Sequence, residues 1–142
     1  MQASARNQFH GTVTRVERGA VNDEVEIALP GGQAIVAVVT RRSAESLGLA
    51  VGAAAVALIK ASSVILVTDS AGMRFSARNS LAGRIARLTP GAVNAEVVIE
   101  LPGGLQVAAI VTKESADRMG LAPGAQVTAL FKASSVILGV MD

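Results

Sequence analysis

Residues 24–40 read Glu24-Val-Glu-Ile-Ala-Leu-Pro-Gly-Gly-Gln-Ala-Ile-Val-Ala-Val-Val-Thr40. The first six positions alternate polar and apolar side chains, as a half-buried β-strand does. Pro30-Gly-Gly32 supplies turn chemistry, and a run rich in β-branched residues follows. This order predicts a β-hairpin, and the hairpin sets the fold class.

The hairpin recurs 72 positions later as Glu96 to Leu101, Pro102-Gly-Gly104 and Leu105 to Thr112. The match extends outward without insertion or deletion, so that residues 4–67 align with residues 76–139 and 36 of the 64 aligned pairs are identical. A repeat of this length is a complete folding unit rather than one turn of a solenoid. We therefore predict a first domain at residues 1–67, a linker at 68–75 and a second domain at 76–142.

The rest of each copy predicts short elements. Strands are expected at Phe9–Glu17 and Leu81–Leu88, before each hairpin, and two more follow a short helix that Gly48 or Gly120 ends. Each copy then holds five strands and one helix. That set favours a mainly β fold, a tandem pair of five-stranded barrels of the oligonucleotide/oligosaccharide-binding (OB) type.

Composition points to self-association. A domain of this length buries only about 60% of its extended-chain surface, and the chain has no cysteine with which to staple it. The sequence is 51% hydrophobic and 17% charged, whereas typical chains are about 25% charged. We expect an oligomer with apolar domain faces, and a small monomer rich in Ala and Val is the alternative.

Sequence features oppose an enzyme and a membrane protein. The sole histidine, His10, faces Ala82 in the other copy, and there is no cysteine, so the usual nucleophile-base pairs and transition-metal clusters have no candidates. The longest apolar run, residues 49–59, is far shorter than a bilayer span of about 20 residues. Because residues 1–11 carry no apolar signal core, we predict a cytoplasmic location.

Both copies repeat a set of polar side chains that mostly donate hydrogen bonds. A tetrahedral dianion offers four acceptor oxygens, so a few cations with several hydroxyl and backbone N–H groups would suit it. Each residue also has a plain structural use, since Thr40 with Ser43, or Thr112 with Ser115, can cap a helix. Lys60 and Lys132 can likewise be solvated charges at strand ends.

The ordered blocks resemble the molybdate-binding domain of the molbindin family. They are Ser-Ala-Arg-Asn at 4–7 and 76–79, Gly-Ala-Val-Asn at 19–22 and 91–94, Val-Thr followed by Ser, and Lys-Ala-Ser-Ser-Val-Ile-Leu at 60–66 and 132–138. Any one block is weak evidence, but the order of all of them is specific. The resemblance implies a non-enzymatic protein that binds molybdate or tungstate, for storage and homeostasis in the cytoplasm, without any cofactor.

The family resemblance further implies a homotrimer of two-domain chains with oxyanions held between domains. The implied oxyanion ligands are Ser4, Arg6, Thr40, Ser43, Lys60, Ser62, Ser76, Arg78, Thr112, Ser115, Lys132 and Ser134, and the candidates for a further site near the threefold axis are Ala20, Val21, Asn22, Ala92, Val93 and Asn94. Asn7 and Asn79 are expected to support the binding segment. Glu24 and Glu96 are interpreted as a solvated face or a register-setting pair.

The sequence leaves two alternative functions open. An OB-type barrel with a pI near 9.7 could bind nucleic acid, but the net charge is only +2 and the chain has no Tyr or Trp for base stacking. A purely structural assembly domain would form the same oligomer without binding an anion. No helix-turn-helix segment precedes residue 4, so we expect the binding module rather than a transcription regulator.

Overall fold

The structure is a computed structural model that describes residues 1–141. The first repeat contains β1 (Asn7–Glu17), β2 (Asn22–Ala28), β3 (Ala34–Thr40), α1 (Arg41–Leu47), β4 (Ala54–Ile59), a 3₁₀ helix (Ala61–Ser63) and β5 (Ile65–Val67). The second contains β6 (Asn79–Pro90), β7 (Asn94–Glu100), β8 (Gln106–Thr112), α2 (Lys113–Met119), β9 (Gln126–Phe131), a 3₁₀ helix (Ala133–Ser135) and β10 (Ile137–Gly139). The predicted mainly β fold, with one short α-helix in each copy, is confirmed.

The predicted hairpin forms one side of each sheet, with β3 or β8 as the edge strand. β2 pairs antiparallel with β3, with Val25 opposite Ala37 and Ile27 opposite Ile35, and β7 pairs with β8 in the same register. The inward residues of the alternation are fully buried, as Val25 and Ile27 show. The period-two pattern of the sequence therefore decides which hairpin face enters the core.

The fifth strand of each sheet comes from the other repeat. The sheet orders are β10-β4-β1-β2-β3 and β5-β9-β6-β7-β8. Ile65 lies opposite Leu130, and Ile137 lies opposite Leu58. The predicted tandem pair of five-stranded OB-like units is confirmed, and the structure differs from the expectation only in which repeat supplies the fifth strand. Whether residues 1–67 and 76–142 act as separate domains, with 68–75 as a linker, stays a prediction.

A tight break before the last strand makes this exchange possible. The chain leaves β4 at Lys60, turns through the 3₁₀ helix and packs that helix against β8 of the other repeat. The second 3₁₀ helix packs against β3 in the same way. Each repeat thus adds a strand to its neighbour's sheet, which increases the apolar area buried between two domains that are small on their own.

Two asparagines fasten the junction between the repeats. The Asn7 side-chain amide donates to the Ala108 carbonyl at 2.9 Å and accepts from the Ala108 N–H at 2.7 Å. Asn79 makes the same two bonds with Val36, both at 2.8 Å. Both side chains are almost completely buried. Each amide thus pairs with backbone much as a neighbouring strand would, and the prediction that these residues have a supporting role agrees with these contacts.

The Pro-Gly-Gly turns of the two hairpins also meet. A Cβ atom on Gly103 would lie 2.9 Å from the Gly31 carbonyl oxygen, and Gly103 has a φ of +90°. Both the close approach and the positive φ require glycine. The repeated motif is therefore needed for the contact between the copies as well as for the turn.

Candidate oxyanion-binding site

A cleft of about 490 Å³ brings together four of the predicted ligands, Ser4, Arg6, Lys60 and Ser62. Its full lining is Ala3, Ser4, Ala5, Arg6, Leu58, Lys60, Ala61, Ser62, Ser63, Ile110, Ser135 and Ile137. Two cationic side chains and four hydroxyl groups therefore face one space. Residues from both repeats surround it, because Ile110, Ser135 and Ile137 belong to the second copy.

Strand pairing explains why these residues converge. β1 and β4 are antiparallel neighbours with Asn7 opposite Ile59. The residues just before Asn7 must therefore lie beside those just after Ile59, which are Lys60 and the 3₁₀ helix. That helix is closed by the Ser63 N–H, which donates to the Lys60 carbonyl at 2.9 Å. The segments 4–6 and 60–63 are thereby held at one end of the sheet.

The second repeat places its own predicted ligands by the same pairing. Asn79 lies opposite Phe131, so the exposed side chains of Ser76 and Arg78 approach the strand end at Lys132. Ser134 lies in the 3₁₀ helix that packs against β3. The chain thus carries a second set of donors at the pseudo-equivalent position.

The two predicted arginines are engaged in ion pairs across the junction. Arg6 donates through both terminal nitrogens to the Glu96 carboxylate, with Nη2 at 2.8 Å from Oε1. Arg78 donates to Glu24 at 2.6 and 2.9 Å. The sequence interpretation of Glu24 and Glu96 as a solvated face missed this role. Their alternation with buried residues gave the face correctly but could not give the partner from the other repeat.

Glu24 also forms an ion pair with a second arginine, and no second arginine lies as close to Glu96. Arg15 Nη2 lies 2.6 Å from Glu24 Oε1, whereas Arg87 Nη2 lies 3.8 Å from Glu96 Oε1. The hydrogen bonds from Arg15 and then Arg78 hold the pKa of Glu24 below its ordinary value. The two ion-pair clusters therefore differ although the arginines at their edges come from identical motifs.

Four other predicted ligands, Thr40 with Ser43 and Thr112 with Ser115, lie outside the cleft lining and cap the helices. Thr40 Oγ1 accepts from the Ser43 N–H at 3.0 Å and lies 2.8 Å from Ser43 Oγ. Thr112 and Ser115 repeat this pair at 3.1 and 2.8 Å. The helices begin at Arg41 and Lys113 rather than at the serines, because the threonines are the N-caps. The capping interpretation is confirmed.

The candidates for a threefold-axis site lie on two exposed turns. Val21 and Val93 are 73% and 72% exposed, although both are large apolar residues. The Val21 carbonyl accepts from the Arg41 N–H at 2.9 Å, so each turn sits beside a helix start. A shallow depression of about 720 Å³ lies there in the second repeat, lined by Ala92, Val93, Lys113, Glu114, Asp117 and Arg118.

Two other kinds of site are absent from the described part of the chain. Within residues 1–141, no group of three or more His, Asp or Glu side chains is placed to hold a metal ion. No helix in the same range is both long and apolar enough to cross a membrane.

Comparison with known proteins gives a family and several relatives. The TOBE domain model matches residues 3–66 and 76–138. Molybdenum-pterin-binding protein MopA of Rhodobacter capsulatus is 50% identical over 140 residues, which cover 99% of this chain and 53% of that protein. DNA-binding transcriptional dual regulator ModE of Escherichia coli (strain K12) is 36% identical over 142 residues, covering 99% and 53%. The chain spans about half the length of these curated relatives.

A solved structure matches over the full length of both chains. The cytoplasmic molybdate-binding protein ModG, in a crystal form with molybdate bound, is 53% identical to this chain. Its TM-score is 0.96, and the match covers 99% of this chain and 100% of that one.

Proposed function

The chain belongs to the TOBE domain family, and from this premise we propose that it binds molybdate or tungstate reversibly, without catalysing a reaction. The observation that carries the proposal is the convergence of Arg6, Lys60 and the serine hydroxyls on one cleft between the repeats. The full-length similarity to a protein with molybdate bound supports the choice of ligand. In this proposal each repeat supplies the greater part of one oxyanion site.

The donor set suits a tetrahedral dianion. Molybdate has four acceptor oxygens and no donor, and the hydrogen-bonding groups of Arg and Lys side chains are all donors. Arg6 and Lys60 together carry a charge of +2, of which the Glu96 carboxylate offsets a part. Ser4 and Ser62 add hydroxyls that can turn their hydrogens toward an acceptor. Charge-assisted hydrogen bonds of this kind are about twice as strong as neutral ones.

The cleft is larger than a single ion. A water molecule occupies about 30 Å³ of liquid, and a tetrahedral oxyanion has only five heavy atoms, so a cleft of about 490 Å³ leaves room for further groups. We infer that a second copy of the chain narrows it. Thr40, Ser43, Thr112 and Ser115 are the ligands proposed to come from that copy, since they are exposed or half-buried and lie beyond the lining.

A homotrimer is the proposed assembly. Four large apolar side chains are exposed at matching positions of the two repeats: Val21 with Val93, and Ile65 with Ile137, each between 62% and 73%. In the proposed assembly these exposed apolar side chains are covered by neighbouring copies of the chain. In the trimer, the turns at 20–22 and 92–94 would approach the threefold axis. Storage of the ion in the cytoplasm is the proposed physiological role.

The test combines native mass spectrometry with calorimetric titration. The wild type is expected to form a trimer that takes up several molybdate ions and little sulfate. Both lysines are exposed in the single chain. Once a second copy covers the site, as proposed above, replacing Lys60→Ala and Lys132→Ala together removes one charge-assisted contact per site and costs about 2–5 kcal/mol of binding free energy. The matched control is Arg18→Ala with Arg74→Ala, which removes the same charge at exposed positions.

Two outcomes would contradict the proposal. One is an oligomer that binds neither molybdate nor tungstate. The other is a titration curve for the lysine double variant that equals the wild-type curve.

The nucleic-acid alternative receives less support from the structure. Stacking of bases on aromatic rings contributes about 1–3 kcal/mol per base, and the chain has three Phe and no Tyr or Trp. Phe9 and Phe131 are in the core, and Phe75 alone of the three is exposed, at 42%. A gel shift with single-stranded DNA that weakens with salt would revive this alternative.

A further inference from the structure

The two repeats surround their site arginines with opposite net charge. The cluster at Arg6 contains Arg6, Arg87 and Glu96, two cations against one carboxylate. The cluster at Arg78 contains Arg78, Arg15, Glu24, Glu17 and Glu26, two cations against three carboxylates. The formal charge is therefore +1 around Arg6 and −1 around Arg78.

Two substitutions between the repeats cause this difference. Glu17 and Glu26 align with Thr89 and Val98 at the constant offset of 72 residues. Arg15 contacts Glu17 at 2.8 Å and Glu26 at 3.4 Å, in addition to Glu24. The first repeat thus draws three carboxylates around one arginine, and the ion-pair network reaches Arg78 of the second repeat through Glu24.

We propose that Glu17 and Glu26 set an affinity difference between the two oxyanion sites of the chain, so that the site at Arg6 and Lys60 fills before the site at Arg78 and Lys132. This inference rests on the proposed function and deepens it. A dianion near Arg6 meets an excess of positive charge, whereas a dianion near Arg78 meets the carboxylates of the first repeat. The Ser-Ala-Arg-Asn and Lys-Ala-Ser-Ser blocks are identical in the two repeats, so this difference in charge acts on matching donors.

The size of the effect follows from Coulomb's law. The clusters differ by two unit charges and are partly exposed, and a separation of about 10 Å between cluster and ion is taken for an order-of-magnitude estimate. In water this gives a difference in affinity of about tenfold at low salt, which falls to about threefold at physiological ionic strength because of screening. The affinity difference should therefore shrink as salt is added.

Calorimetric titration of the full chain with molybdate tests the proposal. The wild type is expected to show two classes of site at low salt. Lys60→Ala should remove the tighter class, and Lys132→Ala the weaker one. Glu26→Gln should then tighten the weaker class by about threefold and leave the tighter class unchanged, since one of the two differing charges is removed.

Two further variants complete the design. Thr89→Glu places a carboxylate opposite Glu96 in the sheet register and should weaken the tighter class. Glu100→Gln is the control, because it removes one exposed negative charge four residues along β7 from Glu96, about 13 Å away. It should change the tighter class by less than Thr89→Glu does, since its charge lies farther along the strand. Circular dichroism of each variant verifies that the fold is intact.

The outcomes separate this proposal from the proposed function. Absence of any molybdate binding by the wild type would overturn the proposed function itself. Binding that stays unchanged in Glu26→Gln, or loss of the tighter class in Lys132→Ala, would overturn the charge-based difference and leave molybdate binding in place.

Discussion

Asn7 and Asn79 make the same pair of hydrogen bonds in both repeats, whereas Arg6 and Arg78, each one residue earlier, enter different ion-pair clusters. The asparagines are buried and the arginines are about half exposed. Both neighbouring residues of the repeated motif have therefore kept their direct partners, but the further charges around the arginines' partner glutamates have diverged.

Burial explains the difference. A buried amide that loses its partners leaves polar groups that water cannot reach, at about 1–3 kcal/mol each. An exposed ion pair contributes only about 0–1 kcal/mol. After duplication the charged neighbours of an arginine could change at little cost to stability. The junction therefore keeps its symmetry in the core, and its surface is free to make the two sites unequal.

The largest expected effect is all-or-none: it is the formation of a disulfide between the exchanged strands. Val67 lies opposite Thr128, and Gly139 lies opposite Val56. Opposed residues of antiparallel strands are about 4.5–5.5 Å apart at Cα, which a disulfide can bridge. Val67→Cys with Thr128→Cys, and Gly139→Cys with Val56→Cys, should each cross-link within one chain on oxidation, as a mobility shift in non-reducing electrophoresis.

The control pair distinguishes the exchanged topology from one in which the last strand of each repeat pairs within its own repeat. Val67→Cys with Val56→Cys joins positions that would face each other if β5 paired with β4 of its own repeat. Efficient cross-linking of this pair, with none between residues 67 and 128, would contradict the exchanged topology.

The asparagines should show nearly equal and large effects on stability. Asn7→Ala leaves the Ala108 N–H and carbonyl without partners, and Asn79→Ala does the same to Val36. Each should lower the free energy of unfolding by about 2–6 kcal/mol, measured by urea denaturation. Ser80→Ala, at an exposed neighbour, should change it by less than about 0.5 kcal/mol. A large effect at only one asparagine would contradict the equivalence of the two repeats at this junction.

The arginines should contribute far less to stability than the asparagines beside them. Arg6→Ala and Arg78→Ala each remove an exposed ion pair, so each should lower the free energy of unfolding by less than about 1 kcal/mol in the same urea experiment. Both variants should nevertheless weaken molybdate binding. A loss of stability as large as that in Asn7→Ala would show that the ion pairs carry the junction.

The smallest effect is a difference in acid sensitivity. The folded-state pKa of Glu24 is held below its unfolded value, which is about 4.3. The stability that this group contributes is therefore present above that value and is lost as pH falls through the folded pKa. Thermal melts from pH 6 to about pH 3 should show that Glu24→Gln flattens the decline on the acid side. A decline as steep as in the wild type would contradict this assignment.

Local features of the fold could be predicted from the sequence. The alternation at 24–29, the Pro-Gly-Gly turns and the glycines after the helices gave the hairpin and helix ends, because these signals act within a few residues. The exchange of β5 and β10 could not be predicted, because the pattern of Ile65–Val67 is compatible with pairing to β4 of its own repeat or to β9 of the other repeat. Register between repeats depends on packing rather than on local pattern.

In the candidate site, too, some features could be predicted from the sequence and others could not. The repeated motifs gave Ser4, Arg6, Lys60 and Ser62, which the cleft brings together. Ser135 and Ile137 could not be predicted as lining residues, because they reach the cleft only through the exchange of the last strands. The ion pairs of Arg6 and Arg78 were missed because sequence periodicity places a glutamate on a face but does not say which repeat supplies its partner.

The most direct test of the account is a crystal structure of the protein grown with molybdate, with anomalous data collected at the molybdenum absorption edge. The account predicts an anomalous peak between the segments 4–6 and 60–63, within hydrogen-bonding distance of the Lys60 ammonium group, and a matching peak at Lys132. Anomalous peaks confined to other surfaces, or no peak at saturating molybdate, would contradict it.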